Sequence, residues 1–255
     1  MRNGQERADL ECLLDRIDMP QEMRDSIFMY ADGASGAGPA LLPGTQSLTE
    51  HLLRALRNRA QGPWSGLPED VFVDTMKAFS RFVREYHRSW GVFGFDRDFW
   101  TTRQADADLF RIGELEYELN EEEDRICLHI PSDAKLAPEL LNDSCAAARA
   151  FLKEYAPAWC ERPVYLHSWL LWPGLSSFLA PDSRIMNFRK AFDFHLAEEN
   201  STDYLEWVFQ VAPGQLEGVN LQTLPEQTSL QRGLKKYVLG GGRVGTGKGI
   251  LARSF

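Results

Sequence analysis

The chain has 255 residues, 44% of them hydrophobic and 25% charged, with a net charge of −9 at neutral pH. That is enough apolar material for one large core or two modest ones in a globular protein. The acidic excess argues against nucleic acid as a partner, because neutralising phosphates needs clustered Lys and Arg. No apolar run approaches the roughly 20 residues that cross a bilayer, and Arg2, Glu6, Arg7 and Asp9 stand where a signal-peptide core would be. The expectation is a cytoplasmic protein with no membrane partner.

Residues 1–98 read as helical. Leu10, Leu13, Leu14 and Ile17 recur at helical spacing, followed by Met23, Ile27 and Tyr30. The stretch from Gly33 to Gly44, rich in Gly, Ala, Ser and Pro, is a loop. Ser47 and Glu50 match a capping box ahead of Leu52, Leu53 and Leu56. Pro68, with Glu69 and Asp70 after it, opens a helix whose Phe72, Met76, Phe79, Val83 and Tyr86 form one apolar stripe.

After Trp100 the period becomes two. Leu115, Tyr117 and Leu119 alternate with Glu114, Glu116 and Glu118, and Ile126, Leu128 and Ile130 with Cys127 and His129, as in neighbouring antiparallel strands. The run Glu121, Glu122, Glu123, Asp124 between them reads as a solvated turn rather than a cation site. Pro138 begins a helix through Leu141, Ala148, Phe151, Leu152 and Tyr155, and Val164–Leu171 is a third strand. Helices resume near Ser183 and over Pro225–Tyr237, with a strand at Tyr204–Val211 between them. The four cysteines, Cys12, Cys127, Cys145 and Cys160, form no CxxC pair and no zinc spacing with the histidines, so no structural metal is expected.

Four motifs in the second half, FRIGELEYEL (110–119), LHIPSD (128–133), LHSWLLWPGLSSFL (166–179) and TSLQRGL (228–234), join apolar runs to polar ends, where α/β enzymes build their sites. In this order they resemble the bacterial acyltransferases that combine a helical N-acyltransferase N-terminal domain with a GNAT-like C-terminal domain. LFRIGELEYEL resembles that family's Arg-Leu-Gly-Arg-Leu strand, LHIPSD its His-Ile-Pro turn and SWLL its Ser-Trp-Leu-Leu strand. DSRIMNF, VFQ, LPEQTSLQRGL and a glycine-rich tail continue the match. Glu114 replaces a basic residue of the family pattern, and Arg184 an Asn. The resemblance implies an α/β (α+β) fold, with a helical layer over residues 1–98 and a GNAT-like mixed sheet with packed helices over 99–255. It also implies acyl transfer from a thioester donor such as acyl-CoA to a small molecule, with acyl-CoA as co-substrate. The rival from another class is a non-catalytic protein of the same fold that binds an acyl-CoA or metabolite; a hydrolase is third.

Direct acyl transfer needs a base for the attacking group, donors for the oxyanion and an acid for the leaving thiolate. His129 is the base candidate, at a strand end before the Pro131 turn, on the face opposite Ile126 and Leu128; a histidine merely bonded at a strand end is the other reading. Ser168 shares the face of Val164, Leu166 and Leu170 and is assigned to substrate hydrogen bonding or to a pair with His129, since no GxSxG elbow exists. The site is expected at the seam of the two parts. Trp169 and Trp172 are candidates to wall the acyl or pantetheine arm, against plain packing. Glu114 and Glu116, sharing a strand face with Glu118, either receive a cationic amine or face solvent, with Glu116 the first to test. The tail GGGRVGTGKG fails as a phosphate loop, because Gly249 replaces the hydroxyl and six residues follow Gly249, too few for the helix. Arg243 and Lys248 are assigned to donor phosphates instead. Thr228, Gln231 and Arg232, at a helix start, are candidates for an anion of the donor, Thr228 equally for an ordinary cap.

Overall fold

The computed structural model describes residues 4–33 and 40–255. Residues 34–39 of the expected loop, and Arg2, lie outside the described residues. The chain divides into two compact units, Met1–Arg111 and Ile112–Phe255.

The first unit is built from α1 (Gly4–Arg16), α2 (Gln21–Ala31), α3 (Thr45–Gln61), α4 (Glu69–Trp90) and α5 (Asp98–Ala105). Leu10, Leu13, Leu14, Ile17, Met23 and Ile27 are buried as the spacing predicts. So are Phe72, Met76, Phe79 and Val83 on α4, each fully buried apolar side chain contributing about 1.5–3 kcal/mol. The Ser47–Glu50 capping box does not form. Helix α3 starts three residues earlier, after Gly44 in a left-handed conformation (φ 70°). Ser47 Oγ donates to the Gly44 carbonyl, and Glu50 accepts from Tyr30 Oη at 2.7 Å. Gly44 is required there, because a Cβ would come within 1.8 Å of the Phe95 carbonyl oxygen. Helix α5 is invisible to hydropathy because its buried residues are Thr101, Gln104 and Ala105.

The sheet runs in the order β1-β2-β3-β4-β6-β5. Its strands are β1 (Leu109–Ile112), β2 (Leu115–Asn120), β3 (Arg125–His129), β4 (Val164–Ser168), β5 (Phe192–Glu198) and β6 (Thr246–Leu251). The unit boundary falls within β1. β2 and β3 are antiparallel, as expected, joined by the acidic turn in which Asp124 takes φ 52°. β3 and β4 are parallel, and β6 lies antiparallel between β4 and β5. The second unit adds α6 (Pro138–Tyr155), α7 (Arg184–Arg189), α8 (Asp203–Phe209) and α9 (Ser229–Leu239). This is the mixed α/β architecture that the alternation of periods predicts.

Helix α6 opens on Pro138 at its first position and buries Leu141, Ser144, Ala148, Phe151 and Leu152; Tyr155, at the end of the expected stripe, is 38% exposed. It packs on β2, where Ser144 Oγ lies 3.0 Å from Tyr117 Oη. Two local expectations fail. The strand from Val164 stops at Ser168, whose hydroxyl caps a 3-10 turn over Trp169–Leu171. The segment Tyr204–Val211 is largely helix α8, not a strand. It is rich in β-formers, but its buried residues Tyr204, Leu205, Val208 and Phe209 follow the helical interval and Asp203 and Glu206 sit at its N-terminal end. The strand expected there is β5, which follows α7 after a break of two residues.

The glycine-rich tail enters the sheet at Thr246. It forms β6, paired on both edges. A Cβ on Gly247 would lie 2.4 Å from the Leu171 carbonyl oxygen, and one on Gly249 would lie 2.6 Å from Phe194 Cβ. The glycines let the 3-10 turn approach the strand.

Candidate active site

Residues directly opposite one another in a sheet share a face. Glu116 faces His129 and Glu118 faces Cys127; Cys127 is level with Tyr165; His167 faces Lys248, which faces His195. One face of the sheet thus carries Glu116, Glu118, His129, His167, Lys248 and His195. The opposite face carries Leu115, Tyr117, Ile126, Leu128, Val164 and Leu166, the side on which Tyr117 meets α6.

His129 Nε2 lies 2.7 Å from Glu118 Oε2, with the two side chains 26% and 16% exposed. Glu116 is only 2% exposed, so the acidic row is no solvated face at that position. The Cys127 thiol is pushed up by burial and by the Glu118 charge, which keeps it protonated and disfavours a thiolate nucleophile.

His129 sits at the carboxyl end of β3. Pairing between the parallel strands covers Ile126–Val164 and Cys127–Tyr165. Beyond that, Leu128 and His129 pair with β2, and Leu166, His167 and Ser168 with β6. Open α/β sheets bind ligands outside the carboxyl ends of their parallel strands, and here those ends carry His129 and His167. His167 Nε2 is 2.8 Å from Thr246 Oγ1 and 3.8 Å from Glu198 Oε1. Burial, then the positive Lys248, hold its imidazole below the ordinary histidine range.

Ser168 and His129 do not form a pair. Ser168 faces Gly247 on the other side of the sheet, and its Oγ accepts from the Leu170 backbone N–H at 3.1 Å. Even spacing along a strand had placed Ser168 with Val164 and Leu166; the register shows that His129 lies across the sheet from that face.

Residues 109–251 match the GNAT-like C-terminal domain, and residues 64–107 match the N-acyltransferase N-terminal domain. The chain belongs to this acyltransferase family. No curated protein sequence matches it. Its fold is shared with an acyltransferase in complex with decanoyl-CoA and teicoplanin (TM-score 0.77, 21% identity, 94% of this chain and 86% of that chain). A second acyltransferase structure, in complex with CoA and 10C-teicoplanin, gives a TM-score of 0.77 at 20% identity, over 95% of this chain and 87% of that one. A mutant acyltransferase with octanoyl-CoA gives 0.78 at 20% identity, over 96% and 88%. The GNAT-like fold and acyltransferase family implied by the second-half motifs are those of the protein.

Within this acyltransferase fold the remaining candidates fall in separate places. Glu114 is in the turn between β1 and β2, not on the strand face, and its Oε2 accepts from the Lys135 N–H at 2.8 Å. Trp172 is buried in a cluster with Leu175, Leu205 and Leu234, its ring 5.3 Å from that of Tyr237; Trp169 packs against the same cluster. Thr228 and Gln231 form a complete capping box on α9, and Gln231 Nε2 also donates to the Val208 carbonyl at 3.0 Å. The Arg232 guanidinium donates to the Glu226 and Gln227 carbonyls. Arg243 is exposed just before β6, whereas Lys248 lies within it beside His167. Among the described residues no cluster of His, Cys, Asp and Glu could hold a metal, and no helix is long and apolar enough to cross a membrane.

Sequence reasoning missed Glu118 and His167 as site residues. Glu118 shares the alternation of Glu116, but its closeness to His129 depends on the length of the acidic turn. His167 gains its meaning from Thr246, 79 positions away.

Proposed function

We propose that the protein transfers an acyl group from acyl-CoA to an amine or hydroxyl of a small molecule by direct attack, with His129 as general base. The observation that carries this reading is the His129–Glu118 pair at the carboxyl end of a parallel strand. With Nε2–H donated to the carboxylate, Nδ1 keeps its lone pair and takes the proton of the attacking N–H or O–H. Glu118 stays beside the ring while it carries that proton, which then passes to the departing thiolate. Glu116, buried and facing His129 on the same sheet face, is the carboxyl we assign to positioning the acceptor. Membership of an acyltransferase family and the acyl-CoA complexes of proteins sharing the fold support the choice of donor. Exposed Arg243 is the cation we assign to donor phosphates.

Thiol release from acetyl- through decanoyl-CoA, with and without a panel of small amines and alcohols, tests the reading alongside calorimetric titration of each donor. Acceptor-dependent release that is lost in His129→Ala is expected. Binding without release would make the protein an acyl-CoA sensor, and release without any acceptor would make it a hydrolase; either overturns acyl transfer.

A further inference from the structure

The polar sheet face holds a second imidazole that the proposed proton transfer does not use. His129 follows Cys127 by two residues on β3 and His167 follows Tyr165, the partner of Cys127, by two on β4, so both imidazoles lie on the same sheet face just past the last paired residues of the two parallel strands. Its surroundings differ. His129 meets a carboxylate, whereas His167 Nε2 meets the hydroxyl of Thr246, a residue 1% exposed.

That hydroxyl decides the tautomer. A buried O–H that fails to donate leaves an unsatisfied donor, which costs more than an unused lone pair on an oxygen that already takes part in one bond. Donation from Thr246 Oγ1–H to Nε2 satisfies that hydroxyl and leaves the single ring proton of a neutral His167 on Nδ1. The His167 side chain is 43% exposed, so a ligand can reach the ring.

We propose that His167, as a neutral imidazole, donates its Nδ1–H hydrogen bond to the thioester carbonyl oxygen and stabilises the oxyanion formed when the acceptor attacks. The inference rests on the acyl-transfer reading above. Electrons and protons balance without any transfer from His167. The acceptor lone pair forms the new bond to the carbonyl carbon, the C=O π pair moves to oxygen, and His129 takes the acceptor proton. When the C=O bond re-forms, the C–S bond breaks and His129 delivers its proton to the CoA sulfur. His167 gives only a hydrogen bond, which a neutral imidazole can do without competing with His129 for the proton in flight. The groups that act on its charge are Lys248 of β6 and Arg125 of β3, which oppose protonation, and Glu198 of β5 and Asp203 of α8, which favour it. Burial is the largest single influence and acts in the same direction as the two cations, disfavouring the imidazolium.

Three measurements on the full chain test this. Nitrogen-15 NMR of the imidazoles at neutral pH reads the tautomer directly: a proton on Nδ1 of His167 is expected, and a proton on Nε2 overturns the assignment. Thiol release reads the role. His167→Ala is expected to lower kcat on the order of 100-fold with KM for acyl-CoA little changed, and His167→Asn, whose side-chain amide overlays Nδ1–H, to recover part of the loss. The pH profile separates donor from base. The ascending limb of kcat/KM should persist in both His167 variants; if His167→Ala abolishes it, His167 is the base and the hydrogen-bonding role falls. Equal losses in the two variants, or none in either, also overturn the proposal. A wild-type protein that releases no thiol from any acyl-CoA sinks the acyl-transfer reading, and this inference with it.

Discussion

His129 Nε2 is bonded to Glu118 Oε2 at 2.7 Å, although the residue directly opposite His129 in the sheet is Glu116. The imidazole reaches diagonally, two positions along β2, a distance a long side chain spans. The two glutamates thus have different environments, one bonded to the ring and one buried beneath the same face. Replacing His129 with Ala should reduce kcat by roughly 10²–10⁴, the usual range for a general base. Glu118→Gln keeps an acceptor but loses its charge, so steady-state kinetics should show a smaller loss, on the order of tenfold, as one charge-assisted bond becomes neutral. Equal effects of the two variants would show that Glu118 does more than orient the ring.

Gly247 should accept a side chain only at a cost in stability. An alanine at Gly247 would bring Cβ to 2.4 Å from the Leu171 carbonyl oxygen, a backbone atom with little room to retreat between β6 and the 3-10 turn. Urea unfolding of Gly247→Ala should show a loss of about 1–3 kcal/mol, the typical cost of overpacking. An unchanged midpoint would mean that the turn over Trp169–Leu171 moves freely from the strand.

Thr228 offers a clean separation of cap from ligand site. Its Oγ1 accepts from the Gln231 N–H at 3.1 Å and its own N–H donates to Gln231 Oε1 at 3.1 Å. Thr228→Ala should cost about 1 kcal/mol of stability by denaturant unfolding. Calorimetric affinity for CoA should stay unchanged; a weakened affinity at full stability would restore the anion-binding role to this helix start.

His167 should titrate below the ordinary histidine value of about 6.5, because burial and then Lys248 disfavour its imidazolium. The sign follows: a folded-state value depressed below the unfolded one gives stability that is complete above the unfolded value and is lost as pH falls through the folded one. In Lys248→Met the positive neighbour is gone, so the NMR titration midpoint of His167 should rise while staying depressed by burial. A midpoint that does not move would show that the two side chains diverge from the shared sheet face.

Much of the fold could be read along the chain because burial repeats locally. The stripe Phe72, Met76, Phe79, Val83 and the alternation around Tyr117 and Leu128 each advertise one face within a few residues. Where local preference and tertiary context disagree, context prevails: Tyr204–Phe209 is a helix despite its β-forming residues, because only the helical interval buries Tyr204, Leu205, Val208 and Phe209 together. The glycine tail shows the same limit, since nothing near it in sequence reveals that a strand must slide between β4 and β5 beneath Leu171.

The sequence by itself determined the acidic, globular character, the helical first part and mixed second part, the family, and His129 as a polar strand end. Tertiary structure decided which residues act with it. Strand alternation says that two residues lie on one face or on opposite faces of a single strand, but only the pairing register relates faces of different strands. That register removed Ser168 from His129, brought Glu118 to it, and set His167, with Thr246 behind it, at the matching place on the next strand. Hydrogen bonds between residues 11 and 79 positions apart are set by how the sheet closes, and a linear pattern carries no trace of them.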